Sequence, residues 1–371
     1  MGGSTLLIVV VNGPTGEAAT EADREVAAAA TRCAPLGPAS SGWLPRRGSV
    51  DVMWVERCGD AGIPAREGVG RARKIGGDLA LRAWRDGLVS DPWIHFTDAD
   101  ARPSTALQDM TAWSRATAVV WPFVHGTHED PDVARGHWQH EIWMRWWVRG
   151  LEYAGSPFAY HTIGSCISVG ARAYADVRGV PARPAGEDFH LLNKLAKLGG
   201  VARPHVAPVE IEARRSSRVP FGTGPAVARL ANDRSTWTLT RPEVFQDLRR
   251  WLAVLSDFVH DRPEPWRAAG DRRAILERAL GEVCGTTWEA RLGALGAPSQ
   301  RSLRAMQWFD GLKTLRLVHA LERGRGDSPA PAMEVLASIS TEGDTPLARE
   351  AAICALLRRE EASWTPWVGH H

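Results

Sequence analysis

The first half of the chain alternates short apolar runs with stretches of helical periodicity, and this alternation limits the folds it can adopt. The run at residues 5–11 (TLLIVVV) is continuous and β-branched, which is typical of a strand buried on both faces of a parallel sheet. Further strand-like runs occupy residues 50–55, 93–97 and 118–124, and helical patterns occupy residues 21–31 and 70–84. This order predicts an α/β fold, with an open, mostly parallel twisted sheet and helices on both faces.

The bulk properties exclude several classes of protein. The chain has 371 residues and is 44% hydrophobic, enough for a full core and about two domains. It carries 45 basic and 43 acidic side chains, so a nucleic-acid partner is not expected. Five scattered cysteines without a CxxC pair indicate reduced thiols and a cytoplasmic location. No signal peptide or transmembrane segment is predicted, which leaves peripheral contact as the remaining membrane role.

The character of the sequence changes after residue 235. Helical periodicity dominates the remainder, with predicted helices at residues 242–259, 272–283, 302–323 and 347–359. The sequence therefore predicts two domains, residues 1–235 and an α-helical C-terminal extension at 236–371.

Two aspartates directly follow the predicted strand at residues 93–97. Asp98 and Asp100 are spaced i, i+2, so both carboxylates can approach one divalent cation. Mg²⁺ and Mn²⁺ prefer oxygen ligands and leave positions for phosphate oxygens, although such a pair also occurs as a simple turn or cap. Ligands of open α/β sheets bind beyond the carboxyl ends of the strands, where Asn12 and Glu56 also lie. These positions predict one shared pocket.

Two further elements carry charge at predicted helix starts. Glu187 and Asp188 open a helix at residues 187–198, where the helix dipole keeps a carboxylate ionised, as a general base requires. The alternative is that they are simply favourable first-turn residues. Arg71 and Arg73 stand in the first turn of the helix at residues 70–84, which suits a nucleotide or diphosphate. The alternative there is a solvated helix face.

Taken in order, these elements resemble the family-2 nucleotide-sugar glycosyltransferases of the A-type, Rossmann-like fold. The matching pieces are the strand ending in Asn12, GVGRARKIGGDLAL, WIHFTDADARP and GEDFHLLNKLAKLGG. The separation from Asp98 to Glu187 is 187 − 98 = 89 residues, within what the family uses. The resemblance covers residues 5–225. Lys74 departs from it, because the family usually has Asn at that position.

The resemblance implies a role for each matched residue. Asp98 contacts the nucleotide ribose or the metal shell, and Asp100 binds the Mg²⁺ or Mn²⁺ ion. Asp188 is the base that takes the proton of the acceptor hydroxyl, with inversion at the anomeric carbon, and Glu187 orients the acceptor or the loop. His205 is a candidate third metal ligand, with a structural role as the alternative. The implied nucleotide contacts are Asn12, Glu56, Arg71, Arg73, Asp98, Arg214 and Arg215.

The acceptor side is implied less directly. The helix predicted at residues 137–151 is rich in tryptophan, and its Trp143 can stack on a sugar, pack in the core or face a membrane interface. His161, Gly164 and Ser165 are the other expected acceptor contacts. The basic loop at residues 214–224 can close over the diphosphate or be a flexible surface loop. The helical extension can cover the acceptor site, form a dimer contact or touch a membrane.

The expected activity is hexosyltransferase-like transfer from a nucleotide-diphosphate sugar to an acceptor hydroxyl that the sequence does not identify. Donor frequency in the family favours a UDP-sugar. One alternative is a nucleotidyltransferase or pyrophosphorylase, although the turn at residues 12–16 (NGPTG) lacks the basic, Gly-rich loop of those enzymes. A second alternative is a non-catalytic sugar-nucleotide-binding protein of the same fold.

Overall fold

The computed structural model describes residues 5–16, 41–47, 50–214, 223–233, 237–326, 329–338 and 346–363, with only the backbone at 41–47, 298, 338 and 346–347. Its strands are β1 Thr5–Asn12, β2 Ser41–Arg47, β3 Val50–Arg57, β4 Trp93–Phe96, β5 Ala101–Arg102, β6 Ala118–Val120, β7 Phe123–His125, β8 Ile167–Gly170, β9 Val201–Ala202, β10 Val209–Ile211, β11 Thr238–Leu239 and β12 Ala330–Pro331. The predicted helix at 21–31 lies outside the described residues.

Among the described residues, most of the α-helices lie in the second half of the chain. The α-helices are α1 Gly68–Arg85, α2 Pro131–Ala154, α3 Ala171–Asp176, α4 Glu187–Leu195, α5 Thr223–Asn232, α6 Pro242–Val259, α7 Arg273–Cys284, α8 Trp288–Gly293, α9 Pro298–Trp308, α10 Gly311–Gly324, α11 Ala332–Val335 and α12 Pro346–Ser363. In the part of the chain that the structure describes, none of these helices is long and apolar enough to cross a membrane.

The strands form small mixed sheets. The sheet orders are β1-β3-β2, β4-β8-β6-β9, β5-β10-β7 and β11-β12. β1 and β3 are parallel, but β8 is antiparallel to both of its neighbours, β4 and β6. Among the strands described, five of the eight pairs are antiparallel. The α/β class is confirmed, whereas the expectation of a mostly parallel sheet is wrong for these strands.

Pro122 explains part of this difference. The single strand predicted at residues 118–124 is two strands, β6 and β7, that belong to different sheets. Proline has no backbone N–H and cannot donate to a ladder, so it interrupts a central strand. Its carbonyl accepts a hydrogen bond from the Val209 N–H at 2.8 Å and starts the pairing of β7 with β10.

Helix α2 is the element on which the second half of the chain packs. It begins at Pro131 after Asp130, whose carboxylate accepts from the Asp132 and Val133 N–H groups, and ends at the left-handed Gly155. Leu151 belongs to one buried apolar cluster with Trp251 of α6 and residues of α7 and α10. The helical extension therefore shares its core with the first half of the chain.

Helix α1 connects the strands to the segment that carries the Glu-Asp pair. A side chain at Gly70 would collide with the backbone at Pro181 and Arg183, and the Gly70 N–H donates to the Arg183 carbonyl at 3.0 Å. Only glycine permits this approach. The close contact brings the first turns of α1 against the chain that leads into α4.

Candidate functional site

One cavity of about 900 Å³ collects most of the residues that the sequence singles out. It lies where α1, α2, α4 and the turn after β4 meet, and α5 and α10 complete its wall. The predicted site residues that line it are Arg73, Asp98, Asp100, Trp143, His161, Gly164, Ser165, Glu187, Asp188 and Arg214. Predicted donor, base and acceptor residues therefore share one cavity.

The remaining predicted residues lie elsewhere. Among the residues that the structure describes, Asn12, Glu56, Arg71 and His205 do not line this cavity. Asn12 and Glu56 are half-buried at the ends of β1 and β3, Arg71 pairs with Glu67 at 3.6 Å, and His205 is exposed. Arg215 falls outside the described residues, so its role and those of the other four stay predictions.

Arg73 joins the two acidic motifs. Its Nη2 donates to Asp98 Oδ1 at 2.5 Å and its Nη1 donates to Glu187 Oε1 at 2.5 Å. Burial alone would disfavour the charged guanidinium, but Asp98 and Glu187 raise the pKa of Arg73 above its usual range, so it stays charged. A side chain at Gly164 would collide with this guanidinium, which explains why a glycine stands there.

Asp100 is held by a second arginine. Arg214 donates from Nε and Nη2 to Asp100 Oδ2, at 2.7 and 2.6 Å. The turn that carries both aspartates is fixed by its backbone, because Asp98 O accepts from Ala101 N at 3.1 Å and Asp100 O accepts from Glu212 N at 2.8 Å. The two carboxylates are thus held at the cavity edge, each with its own guanidinium.

Asp188 has the properties of a base that works near neutral pH. It follows Gly186, whose left-handed φ of 70° turns the chain into α4, and its Oδ1 accepts from the Phe189 N–H at 2.7 Å. Burial first, and then the charge of Glu187, raise the pKa of Asp188 to about 7, while Arg73 acts in the opposite direction. A base with a pKa near the working pH is the most effective.

The charges around the cavity fit a divalent cation. Its described lining has five carboxylates, of Asp98, Asp100, Glu187, Asp188 and Glu212, and three guanidiniums, of Arg73, Arg214 and Arg229. The difference is 5 − 3 = 2 negative charges when all are ionised, and a diphosphate would add more. No group of three or more His, Cys, Asp or Glu side chains in the described ranges could hold a metal alone. A cation here would take Asp98, Asp100 and ligand oxygens.

A buried ionic network behind the predicted acceptor contacts was not predicted from the sequence. Glu141 of α2 is fully buried and accepts from His125 Nδ1 at 2.9 Å, Arg145 Nε at 2.9 Å and Arg358 Nη2 at 2.8 Å. Burial opposes its charge, but Arg358 and His125 hold the pKa of Glu141 well below its usual range. Arg358 belongs to α12, which docks this distant helix on α2.

The same C-terminal helix reaches the cavity wall. Glu361 of α12 accepts a hydrogen bond from His161 Nε2 at 2.9 Å and pairs with Arg145. His161 lines the cavity and meets the Phe123 ring edge-on at 4.9 Å. Glu361 thus fixes the orientation of a predicted acceptor contact from 200 residues away in sequence.

Histidines occupy the part of the wall next to Arg214. His137 Nε2 bonds the Arg214 carbonyl at 3.2 Å, and the His140 ring stacks on Trp143 at 5.8 Å. Burial lowers the pKa of His137 to about 4 and that of His140 to about 3. Both rings are uncharged at neutral pH and therefore add no positive charge to the site.

Comparison with known proteins adds no family to these observations. Neither protein-family models nor curated proteins match this chain. The resemblance to family-2 glycosyltransferases therefore rests on the four sequence motifs, and the functional interpretation rests on the cavity.

Proposed function

We propose that this protein is a metal-assisted, inverting glycosyltransferase with the A-type fold of family 2. The observation that supports this most directly is the pair of contacts from Arg73 to Asp98 and Glu187. These contacts bring the Asp-x-Asp turn and the Glu-Asp helix to one cavity, as donor activation beside a base requires. The proposal includes a UDP-sugar donor, because such donors are frequent in the family. It also includes a cytoplasmic location, because the cysteines are scattered.

In this reaction the diphosphate of the donor sits beside Asp98, Asp100 and Arg214. Asp98 and Asp100 would hold a divalent cation there, and the cation would supply positive charge to neutralise the leaving diphosphate. Arg214 adds a second cationic group next to the same oxygens. Because Asp100 binds Arg214 through both Nε and Nη2, the guanidinium is already positioned at the edge of the cavity.

The acceptor hydroxyl is activated by Asp188. Its carboxylate accepts the hydroxyl proton while the acceptor oxygen forms a bond to the anomeric carbon. The bond from that carbon to the diphosphate oxygen breaks, and the diphosphate leaves with the electron pair. A single displacement of this kind inverts the configuration. Glu187, held by Arg73 and almost fully buried, fixes the first turn of α4 that carries the base.

A thermal-shift panel tests the donor site. We expect one of UDP, GDP, CDP and dTDP to raise the unfolding temperature only with Mn²⁺ or Mg²⁺ present. A ligand at a hundredfold excess over its Kd stabilises by about 2.7 kcal/mol. The Asp100→Ala variant should lose this shift, because it removes a carboxylate from the metal site.

Asp86→Ala is the matched control, since Asp86 is also paired with an arginine, Arg82, but does not line the cavity in the described structure. It should keep the full ligand-induced shift. A nucleotide shift that does not depend on metal, or that survives in Asp100→Ala, would contradict the metal site. Absence of any shift would contradict the nucleotide donor, and binding without turnover of any sugar donor would support a non-catalytic binding protein.

A further inference from the structure

The cavity follows one face of α2 over several turns. The residues of α2 that line it, from His137 to Leu151, recur at intervals of three and four, which places them on a single stripe of the helix. Fourteen residues at 1.5 Å each give the stripe a length of roughly 21 Å. The volume of about 900 Å³ is at the upper end of the range of about 300–1,000 Å³ for small-molecule sites. The cavity therefore has room for an elongated ligand beside a donor.

The chemistry of the stripe changes along its length. At one end His137 bonds the backbone of Arg214, which in turn holds Asp100, so this end belongs to the donor site. His140 and Trp143 follow, and beyond them the lining residues of α2 are apolar. We call this second end the distal lobe, defined by Trp147, Val148 and Leu151 of α2, Phe158, and Thr314 and Leu315 of α10. None of these six side chains carries a charge.

The distal lobe is lined largely by buried side chains and not by an exposed surface patch. Val148 and Leu151 are each 3% exposed and Phe158 is 5% exposed, although all three line the cavity. Helix α10 forms a second wall of the lobe. The Gly311 N–H at its start donates to Asn193 Oδ1 at 2.9 Å, and this contact holds α10 on α4. Asn193 lies five residues after Asp188 on α4, or roughly 7–8 Å along the helix. The lobe therefore begins about one and a half turns from the base.

From this arrangement we infer that the acceptor is an amphiphile with a hydroxyl-bearing head at Asp188 and a hydrocarbon chain in the distal lobe. The inference rests on the proposed glycosyl transfer for the position of the head. The apolar part of the stripe continues for two turns from Trp143 to Leu151, roughly 12 Å, which is longer than one aromatic ring. Walls built mainly from apolar side chains favour a hydrocarbon over further sugar units, whose hydroxyls would lose hydration and find few partners there.

A matched pair of ligands tests the inference. Methyl β-glucoside and n-octyl β-glucoside share the same head and differ in the chain. We expect calorimetric titration to show at least tenfold tighter binding of the octyl compound. The titration is done below the micelle concentration, with the nucleotide and metal that the thermal-shift panel selects. Each fully buried methylene contributes about fourfold, so partial burial of the chain suffices. Phenyl β-glucoside should fall between the two.

Two variants test whether the hydrocarbon chain of the ligand binds in the distal lobe. Leu315→Gln should reduce the octyl-to-methyl ratio severalfold, because it places an amide in the distal lobe. Leu303→Gln is the control, since Leu303 is 48% exposed on α9 and does not line the cavity in the described structure. Equal affinity for the two glucosides, no binding of the octyl compound, or the same loss in both variants would overturn the inference. If Leu315→Gln does not fold, the affinities of the wild-type protein for the methyl and octyl glucosides still test the inference.

The two proposals fail in different ways. If a nucleotide sugar is consumed at the same rate with both glucosides, glycosyl transfer stands and the distal lobe does not hold a hydrocarbon chain. If octyl glucoside binds tightly but no nucleotide binds with or without metal, the lobe stands as an apolar-ligand site and glycosyl transfer is wrong.

Discussion

Replacing Asp188 with asparagine is expected to lower kcat for sugar transfer by about 10²- to 10⁴-fold, the usual contribution of a positioned general base. Asparagine has nearly the same shape and keeps an oxygen that can accept from the Phe189 N–H, but it cannot take a proton from the acceptor. Nucleotide binding in the thermal-shift panel should be unchanged, because Asp188 acts on the acceptor. Steady-state release of the nucleoside diphosphate measures the effect.

The same variant should not be less stable than the wild type. Burial and Glu187 raise the pKa of Asp188 in the folded state, so its contribution to stability is present at low pH and is lost as the pH rises towards 7. Above pH 7 the ionised carboxylate destabilises the fold, and asparagine removes that charge. We therefore expect an equal or higher Tm for Asp188→Asn at pH 8. Asp176→Asn, at an exposed position of α3, should change neither property, and full turnover by Asp188→Asn would exclude it as the base.

The pH profile of the wild type provides an independent test of the base. We expect kcat/KM to fall as the pH drops through about 7, because protonated Asp188 cannot accept the acceptor proton. The charged groups that set this value are Glu187 on the same helix and Arg73 on α1, with Asp98 acting through Arg73. A profile that is flat between pH 5.5 and 8 would contradict the assignment. The acid limb should also be missing from any residual activity of Asp188→Asn.

Local patterns predicted the elements that carry the site. The run before Asp98, the helix with Arg73 and the helix opened by Glu187 all lie where periodicity and end signals placed them. Each of these signals is contained in fewer than twenty consecutive residues, so no knowledge of the rest of the fold is needed. The contacts of Arg73 with Asp98 and Glu187 were not predicted, and in the structure they form because α1 lies against the chain leading into α4.

Long-range partners could not be predicted in this way. The sequence pattern at residues 160–169 also predicts a strand, but β8 begins only at Ile167, because residues 160–166 form the turn that places Gly164 against Arg73. The pair of Glu141 and Arg358 joins residues 217 positions apart. A glutamate within a helix gives no sign of which distant cation will neutralise it, because that depends on how whole helices pack. The part that α12 plays in the cavity wall is therefore visible only in the structure.

The second large effect is expected at Glu141, whose contact with Arg358 holds α12 on α2. Replacing it with glutamine should lower the free energy of unfolding by about 3–5 kcal/mol, the typical cost of breaking a buried ionic group and leaving its partner charged. The two guanidiniums, of Arg145 and Arg358, would lose the carboxylate that both contact. Because the folded-state pKa of Glu141 lies well below its usual range, the stabilisation is fully present at neutral pH and is lost progressively as the pH falls below that usual range towards the depressed pKa. Chemical denaturation at pH 7 measures it.

The ion pair of Glu360 with Arg149 is the control, because it is charged but not buried. This pair also joins α12 to α2, but both side chains are more than one third exposed, so Glu360→Gln should cost less than about 1 kcal/mol. Glu141→Gln should in addition weaken acceptor use more than nucleotide binding, because release of α12 frees Glu361 from His161. Equal, small losses of stability in both variants would mean that α12 docks through its apolar contacts alone, with Ile353, Cys354 and Leu357 buried against the cluster around Ile142.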